Sequence, residues 1–370
     1  MAMMRFDKAN EHYEQWLAQR IPLLHSDLRR KHALMAEAPF PFLRATFFRW
    51  AQVWPALRPG EQTAPEVLAV GDLHVENFGT WRDADGRLVW GINDFDEAEW
   101  MPYTCDLVRL ATSAHLAVIA GHLKLGHAKA CKSILDGYRA SLRAGGRPYV
   151  LAEDHLALRQ MAVERLKDPQ PFWRKLEALP ELKAMPPAGA MKGIRKLLPE
   201  PDLRIRLSHR IAGLGSLGRQ RFLALAEFEG GLIAREAKQL TASAWLWAWP
   251  PPQGRRKTRV HYQEILDRSI RCLDPFVRLR GEWIIRRLAP DCSRIELASL
   301  PATHDAVRLL HAMGWETANI HLGTCEAKVL LHDLKSRGPD WLHESARVMV
   351  EAVHKDWKAW RARTPAMGGS

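Results

Sequence analysis

The segment VLAVGDLHVENFG at residues 67–79 carries the most information about fold and function in this 370-residue chain. Its apolar start predicts a short buried strand, and four polar residues follow directly: Asp72, His74, Glu76 and Asn77. Strand ends, and the loops that follow them, are where a rigid scaffold can position reactive groups. The segment therefore predicts a functional loop immediately after a strand.

A second acidic segment, GINDFDEAEW at residues 91–100, lies beyond a predicted hairpin. The Asp-Gly pair between the runs NFGTWRD and RLVWGINDF is a strong hairpin signal. Such a hairpin would return Asp94 and Asp96 toward Asn77. Carboxylate and amide oxygens, completed by phosphates and water, are the ligands that Mg²⁺ prefers. We therefore predict a phosphate–metal site with Asn77 and Asp94 as the metal ligands.

The spacing of these residues points to phosphoryl transfer. Asp72 and Asn77 have the D-x-x-x-x-N spacing of the kinase catalytic loop, where the Asp positions the substrate hydroxyl and the Asn binds a metal. Asp94 precedes Phe95 as the metal-binding Asp does in D-F-G. Each of these residues alone is more often a turn or cap residue than a ligand. Their combination around one hairpin is much rarer and favours a phosphate–metal site.

The amino-acid composition limits the classes of protein to which this chain can belong. Apolar residues make up 47% of the chain and charged residues 26%, as in ordinary globular proteins. No apolar run of about 18 residues predicts a membrane span, and the N-terminal segment has no signal-like apolar core. Five cysteines without a C-x-x-C pair disfavour a zinc ribbon or disulfide framework, and they favour the cytoplasm. The net charge, 54 − 42 = +12, favours a nucleotide or another polyanion as a partner. Nucleic acid is a possible partner on the basis of this charge alone.

The chain divides into three predicted regions: a mostly helical region at 1–195 with the hairpin at 66–97, a strand-rich region at 196–300, and helices at 301–370. The proline- and glycine-rich segment 185–202 is the predicted linker between the first two regions. Two prolines in APFPFLRATFFRW predict a break in the N-terminal helices, and DHLALRQMAVERL predicts a further helix.

The strand-rich region begins with a G-x-G-x-x-G motif formed by Gly213, Gly215, Ser216 and Gly218. A dinucleotide-binding fold would begin a helix at these glycines, whereas here an alternating strand, a Glu-Gly-Gly turn and a second strand follow. A glycine loop beside strands is the kinase arrangement over the triphosphate.

The return strand LIAREAK offers two cations that could pair with phosphate, Arg235 and Lys238. The two lie on opposite faces of a regular strand, and the sequence leaves the choice between them open. Glu264, in the helical run HYQEILDRSI, is a weaker candidate for the carboxylate that pairs with this cation.

Two resemblances connect these motifs. GDLHVENFG and NDFDEA resemble the HGDLHxxN and IDFDD motifs of aminoglycoside phosphotransferases and their kinase-like relatives, although Val70 replaces the first His. PYTCDLVRLATSA resembles the helix after the metal-binding Asp, which gives Asp106 a supporting role. More closely, the chain resembles an uncharacterised bacterial family with PFxFxRG, GDxHxxNFG, NDFDE, GxGSxG and KEA motifs. Arg44 lies in the first of these, and Arg235 replaces the Lys of the last.

The resemblance implies a bilobal, α+β, protein kinase-like fold in which the catalytic lobe precedes the nucleotide-binding lobe, a circular permutation. The run LLHAMGWETANIHLGT resembles the helix that leads into the catalytic loop of phosphotransferases, so it should pack beneath Asp72. Because chain termini commonly lie close together at the protein surface, such a permutation costs little stability.

The expected function is an ATP- and Mg²⁺-dependent phosphotransferase acting on an unidentified hydroxyl of a small molecule or protein. Asp72 would orient or deprotonate the acceptor, while the glycine-loop amides and one cation would bind phosphate, with Arg44, His74, Asp96 and Asp106 in support. A nucleotide-binding pseudokinase or an AMP-transferase remains the alternative. A metallophosphoesterase, which needs more His and Asp ligands, and a nucleic-acid-binding protein are remoter alternatives.

Overall fold

The structure, a computed structural model, describes residues 4–151, 158–160, 168–250, 259–292 and 303–363, with side chains from residue 306 in the last range. The predicted helix DHLALRQMAVERL lies largely outside the described residues. Within them the fold is mixed α+β, with helices around three small antiparallel sheets.

Helices make up most of both ends of the described chain. No described helix combines the length and the apolar character needed to cross a bilayer. In chain order the helices are α1 (Phe6–Ala18), α2 (His25–Glu37), α3 (Pro39–Ala45), α4 (Phe47–Leu57), α5 (Pro59–Gln62), α6 (Tyr103–Ile119), α7 (His127–Ala144), α8 (Gln170–Glu177), α9 (Ala188–Lys196), α10 (Ala244–Ala248), α11 (Tyr262–Arg268), α12 (Thr303–His321), α13 (Ala327–Ser336) and α14 (Trp341–Arg361).

The strands form three sheets among the described residues, of two, three and five strands with orders β1-β4, β2-β3-β5 and β6-β7-β8-β10-β9. Every described pairing is antiparallel. The strands are β1 (Glu66–Ala69), β2 (Phe78–Arg82), β3 (Leu88–Ile92), β4 (Glu99–Pro102), β5 (Tyr149–Val150), β6 (Arg206–His209), β7 (Arg221–Phe228), β8 (Gly231–Gln239), β9 (Arg278–Arg280) and β10 (Trp283–Leu288).

The two prolines near residue 40 interrupt the N-terminal helices, as predicted, because α2 ends at Glu37 and a separate helix begins at Pro39. Pro39 opens α3, and Pro41 lies in its first turn. The first turn of a helix has backbone N–H groups without intrahelical partners, so proline is tolerated there. The result is a short helix that buries Phe42 and Leu43 against the main core.

The hairpin predicted around Asp-Ala-Asp-Gly is confirmed. Strands β2 and β3 pair in the register Phe78↔Ile92, and the Asp83 carboxylate accepts hydrogen bonds from the turn. At the open end the Asn93 N–H donates to the Asn77 carbonyl at 3.0 Å. The hairpin therefore places the two acidic segments side by side.

The five-stranded sheet has one apolar and one charged face, because side chains alternate along each strand. The apolar face packs against α9, whose Ala190 and Ile194 contact Phe222 and Ile285. The predicted linker at 185–202 is therefore in part a helix that belongs to the sheet. The outer boundaries of the three predicted regions remain a prediction.

The C-terminal helices return to the first part of the chain, and a break near residue 338 separates α13 from α14. Helix α12 packs along α7 and contacts β1. Just beyond its end, the Thr324 hydroxyl oxygen accepts a hydrogen bond from the Leu68 N–H at 2.9 Å. The end of α12 thus lies beside the strand that leads into Asp72.

Candidate functional site

The loop at residues 70–77 is fixed in place by α6 and α12. The Asp106 carboxylate, in the first turn of α6, accepts hydrogen bonds from the backbone N–H groups of Val70 at 2.7 Å and Gly71 at 2.8 Å. His321 at the end of α12 lies 3.0 Å from the same carboxylate through Nε2. The residues that make these contacts in the loop, in α6 and in α12 are all buried, so the loop has a rigid base.

Asp72 lies above this base and pairs with a buried arginine. Arg109 Nε donates to Asp72 Oδ1 at 2.9 Å, and its Nη2 contacts the same oxygen and the Leu43 carbonyl. Burial raises the pKa of Asp72 to about 7, while the Arg109 charge opposes the rise. A carboxylate with a pKa near neutrality can both accept and release a proton under ordinary conditions.

The remaining polar residues of loop 70–77 shape its turn. Asn77 Oδ1 accepts a hydrogen bond from the His74 N–H at 2.7 Å, and His74 Nδ1 accepts one from the Glu76 N–H at 3.2 Å. The Glu76 carboxylate pairs with Arg44 at 2.6 Å. An amide oxygen has two lone pairs, so Asn77 Oδ1 retains one for a ligand. His74, Glu76 and Arg44 support the loop at one wall of the site.

Lys238 on β8 joins the second acidic segment to the sheet. Its Nζ lies 3.2 Å from Asp94 Oδ1 and also pairs with Asp96, and the side chain is 1% exposed. Burial, together with the nearby Asp94 charge, raises the pKa of Asp96 to about 6, against the opposing charges of Lys238 and Arg219. One buried cation therefore bridges two carboxylates beside the loop that carries Asp72.

Two of the predicted site residues lie elsewhere. Arg235, on the opposite face of β8, donates from Nε to the Leu197 carbonyl at 2.7 Å, and its guanidinium lies over Phe276. Glu264 on α11 pairs with Arg259, Arg268 and His261, whereas Lys238 pairs with Asp94 and Asp96. Of the two cations that the sequence left open, Lys238 is the one that the fold brings to the acidic segment.

The glycine loop, residues 213–218 between β6 and β7, lies directly over Asp72. A Cβ at Gly215 would be 3.3 Å from Asp72 Oδ2 and 3.1 Å from the Arg44 carbonyl, so a side chain at this position would require these neighbours to shift. Gly213 has φ +75°, a conformation that also favours glycine. Two motifs separated by about 140 residues in sequence thus face each other in space.

The glycine loop is anchored from several sides. Within the fold, Ser216 Oγ accepts a hydrogen bond from Arg221 Nη2 at 2.7 Å. Helix α2 binds the loop from outside, since Lys31 Nζ donates to the Gly215 carbonyl at 3.2 Å and the Leu24 N–H donates to the Gly218 carbonyl at 2.8 Å. These contacts hold the glycine loop close to Asp72.

Two cavities meet at Gly213. The cleft between the loops encloses about 40 Å³ and is lined by both motifs. The adjoining cavity encloses about 430 Å³, within the usual range of small-molecule sites, and Asn93 and Phe95 on either side of Asp94 form part of its wall. The structure thus offers a narrow polar cleft connected to a larger space.

An arginine cluster, consisting of Arg210, Arg221 and Arg286, lines the larger cavity. The three guanidinium groups surround the fully buried Glu236, whose pKa they lower well below the usual range in spite of its burial. Three positive charges against one negative charge leave this group of four side chains with a net charge of +2. This charge is suited to anionic groups such as phosphates.

Several of these residues were not predicted from the sequence. Arg221 stands opposite Lys238, and Arg286 stands opposite Glu236, in the strand register. The alternation within β7, β8 and β10 would have placed them on one face once the pairing was known. Arg109 follows Asp106 by three residues on α6, a spacing that places both near the same side of a helix. Nothing in the local sequence marks Lys31.

The metallophosphoesterase alternative requires several His and Asp ligands around one point. Among the described residues that line the cleft, His74 is the only histidine, and its Nδ1 accepts a hydrogen bond within its own loop. The cleft therefore offers mainly oxygen ligands, which fit Mg²⁺ better than a dinuclear transition-metal centre.

Comparison with known proteins gives a family-level result. Residues 23–174 match the model of a family described as an uncharacterized protein conserved in bacteria (DUF2252). The matched part contains loop 70–77, the second acidic segment and Arg109, and it supports the predicted resemblance to a bacterial family of unknown function. No curated protein and no solved structure matches the chain.

Proposed function

We propose that this protein is an ATP- and Mg²⁺-dependent phosphotransferase with a kinase-like arrangement of its two parts. The observation that carries the proposal is the meeting of three motifs at one cleft. Lys238 from the sheet pairs with Asp94 and Asp96, and Gly215 covers Asp72. These are the residue types that kinases use for phosphate, metal and acceptor.

The order of elements in the five-stranded sheet supports this proposal. The glycine loop connects the first and second strands, Lys238 lies on the third, and α11 lies between the third and fourth. In protein kinases a glycine-rich loop covers the phosphates and the phosphate-binding lysine is on the third strand. The kinase Glu on the following helix has no counterpart at Lys238, whose carboxylate partners are Asp94 and Asp96.

The position of α12 supports the circular permutation. Its sequence resembles the helix that runs into the catalytic loop of phosphotransferases, yet it comes about 250 residues after that loop. In the fold, His321 contacts Asp106 and Thr324 accepts a hydrogen bond from Leu68, both next to loop 70–77. A circularly permuted kinase-like fold would require these contacts, and they support the proposal.

The residues around Lys238 fit a magnesium ion. Asp94 and Asn77 both line the cleft, and Asp96 adds a second carboxylate there. We expect Asp94 and Asn77 to hold the ion, which when bound would neutralise phosphate charge and align the phosphates. The positive charge of Lys238, which pairs with both carboxylates, offsets part of their mutual repulsion.

The chain's own groups account for the remaining tasks. Asp72 would accept the proton of the acceptor hydroxyl, for which a pKa of about 7 is favourable. Arg109 fixes the orientation of that carboxylate, and backbone N–H groups of the glycine loop, with Lys238 and the arginine cluster, would bind phosphate oxygens. Catalysis of this kind depends on positioning and electrostatic stabilisation.

Nucleotide binding tests the proposal through a matched pair of variants on β8. Lys238→Gln and Arg235→Gln each remove one cation, from opposite faces of the same strand. Because a hydrogen bond to a charged group contributes about 1.5–3 kcal/mol, Lys238→Gln should weaken binding of a non-hydrolysable ATP analogue with Mg²⁺ by about 10–100-fold. Arg235→Gln should remain within a few-fold of wild type. Isothermal titration calorimetry measures both, and equal affinities for the two variants would contradict the proposal.

Turnover is tested separately with Asp72→Asn, in which the amide oxygen can still accept a hydrogen bond from Arg109. We expect the analogue to bind within a few-fold of wild type while transfer from ATP is lost. Mass spectrometry of reaction products distinguishes transfer of a phosphoryl group from transfer of AMP. Binding by the wild type without any transfer would identify a nucleotide sensor instead of an enzyme.

A further inference from the structure

Three helices bring histidine and cysteine side chains together far from the cleft. His115 on α6, Cys131 on α7 and His343 on α14 have ligand atoms that all lie within 4.8 Å of one another. His115 Nε2 is 3.2 Å from Cys131 Sγ. His127 lies one helical turn before Cys131, and its ring centroid is 4.7 Å from that of His115. None of these four residues lines the cleft or the larger cavity.

The cluster has unused ligand atoms in a buried position. His127 Nε2 and His343 Nδ1 are both shielded from solvent and have no hydrogen-bond partner among the described residues. His115 and Cys131 are 3% and 2% exposed. Leaving a buried polar atom unpaired costs about 1–3 kcal/mol, so two such atoms, one on His343 and one on the neighbouring His127, require an explanation, such as a bound ion.

We propose that His115, Cys131 and His343 bind a zinc ion, and that the neighbouring His127 turns toward them to supply the fourth ligand. Zinc bonds of about 2.0–2.1 Å to nitrogen and 2.3 Å to sulfur place tetrahedral ligand atoms roughly 3.3–3.6 Å apart. The observed 3.2 Å between His115 and Cys131 is close to that spacing. Three imidazoles and one thiolate suit zinc, whereas Mg²⁺ and Ca²⁺ need oxygen ligands, which this set does not offer.

The site would stabilise the helices behind the cleft. His115 follows Arg109 by six residues on α6, which is about 9 Å along the helix axis. A metal at this point would join the far part of α6 to α7 and α14, while the near part positions Asp72 through Arg109. Its role is structural, since all four ligand positions are filled by side chains. The sequence did not reveal the site because its ligands span residues 115–343 without a C-x-x-C or similar motif.

The test uses the purified full chain and zinc alone. After treatment with a chelator and re-addition of ZnCl₂, desalted wild-type protein should retain one zinc per chain by elemental analysis and should melt at a higher temperature than the stripped protein. Loss of an outer partner of a metal ligand already costs about 10–100-fold in affinity. We therefore expect Cys131→Ser and His343→Gln to weaken zinc binding by more than about 100-fold. Cys325→Ser and His354→Gln, the latter on the same helix as His343, should bind as wild type does.

Cobalt substitution keeps the test independent of variant folding. The wild-type chain with Co²⁺ should show the intense visible bands of tetrahedral cobalt and a near-ultraviolet thiolate-to-cobalt band. The thiolate band should disappear in Cys131→Ser and persist in Cys325→Ser. Wild-type protein that retains no zinc and gives no thiolate band, or a folded Cys131→Ser variant that binds zinc as wild type does, would overturn the proposal.

Discussion

The pair formed by Asp72 and Arg109 shows how a single ion pair constrains the site. Arg109 has 0% exposure and stacks near Phe47 and Trp50, so its charge lies in an apolar surrounding. Its Nη1 has no hydrogen-bond partner among the described residues, which leaves Asp72 as the main compensating charge. The same carboxylate is thus both the proposed base and a contributor to the stability of the fold.

We expect Asp72→Ala to lower the free energy of unfolding by about 3–5 kcal/mol, because it leaves the guanidinium buried without its partner. The double variant Asp72→Ala/Arg109→Met should recover part of this loss, since the uncompensated charge is then absent. Asp85→Ala, at an exposed turn position, should remain within about 0.5 kcal/mol of wild type. Denaturant titrations measure all three. A double variant no more stable than the single one would contradict this account.

At the scale of elements, the sequence predicted what depends on local pattern. The hairpins β2–β3 and β7–β8 follow from alternating apolar residues around turn residues, and the loop with Asp72 and Asn77 follows from one continuous motif. Helix α9 was missed because its glycines and flanking prolines suggested a linker. Its small residues instead allow close packing on β10, as Gly193 does against Ile285, and only the tertiary structure supplies that contact.

The choice between Arg235 and Lys238 could not be made from the sequence either, because it also depends on tertiary contacts. Both residues are cations on one strand, and their difference lies in which face meets the acidic segment. That depends on pairing with β7 and β10, each of which is separated from loop 70–77 by more than 140 residues. The arginine cluster and the role of Lys31 depend on the same long-range packing, so the sequence could not assign them.

Helix α12 carries a buried carboxyl group, that of Glu316, at its contact with the β2–β3 hairpin. Glu316 accepts hydrogen bonds from the Ile92 N–H of β3 at 3.3 Å and from Asn319 at 2.9 Å. A Cβ at Gly91 would collide with this carboxyl, so the hairpin contacts α12 closely. Burial raises the pKa of Glu316 to about 7, against the opposing charge of Arg271 and these hydrogen bonds.

This shift predicts a pH-dependent stability. The folded protein binds the Glu316 proton more tightly than the unfolded chain does, because glutamates of the unfolded chain titrate near 4.3. The contribution of Glu316 to the free energy of unfolding is therefore fully present below about pH 4.3 and is lost as the pH rises through about 7. Relative to Glu316→Gln, wild type should therefore lose about 2–3 kcal/mol of unfolding free energy between pH 5 and pH 8. Denaturant titrations across that range measure it, with Glu344→Gln on the exposed side of α14 as the control for loss of one charge. A constant difference between wild type and Glu316→Gln would show that the carboxyl does not titrate in this way.

At the scale of the whole molecule, the N-terminal helices determine how open the cleft is. Helix α2 binds the glycine loop through Leu24 and Lys31, and the space beneath the loop is about 40 Å³, far smaller than the adjoining cavity of about 430 Å³. A triphosphate that reached from the larger cavity to Asp72 would need the loop to rise. Nucleotide binding and the contact with α2 are therefore expected to compete.

Lys31→Ala is the variant that separates this competition from other roles of α2. Because a hydrogen bond from a charged group contributes about 1.5–3 kcal/mol, its removal should raise the fraction of molecules with an open loop, and should tighten binding of the Mg²⁺–ATP analogue, by about 10-fold or more. Burial lowers the pKa of Lys31 to about 8, so the wild-type contact should itself weaken above that pH as the ammonium loses its proton and its attraction for the Gly215 carbonyl. Hydrogen exchange of the amides at 213–218 measures loop opening without any nucleotide and should be faster in Lys31→Ala than in Lys132→Ala, an exposed-lysine control. Faster exchange with weaker nucleotide binding would mean that Lys31 itself binds phosphate, and unchanged exchange would mean that α2 does not restrain the loop.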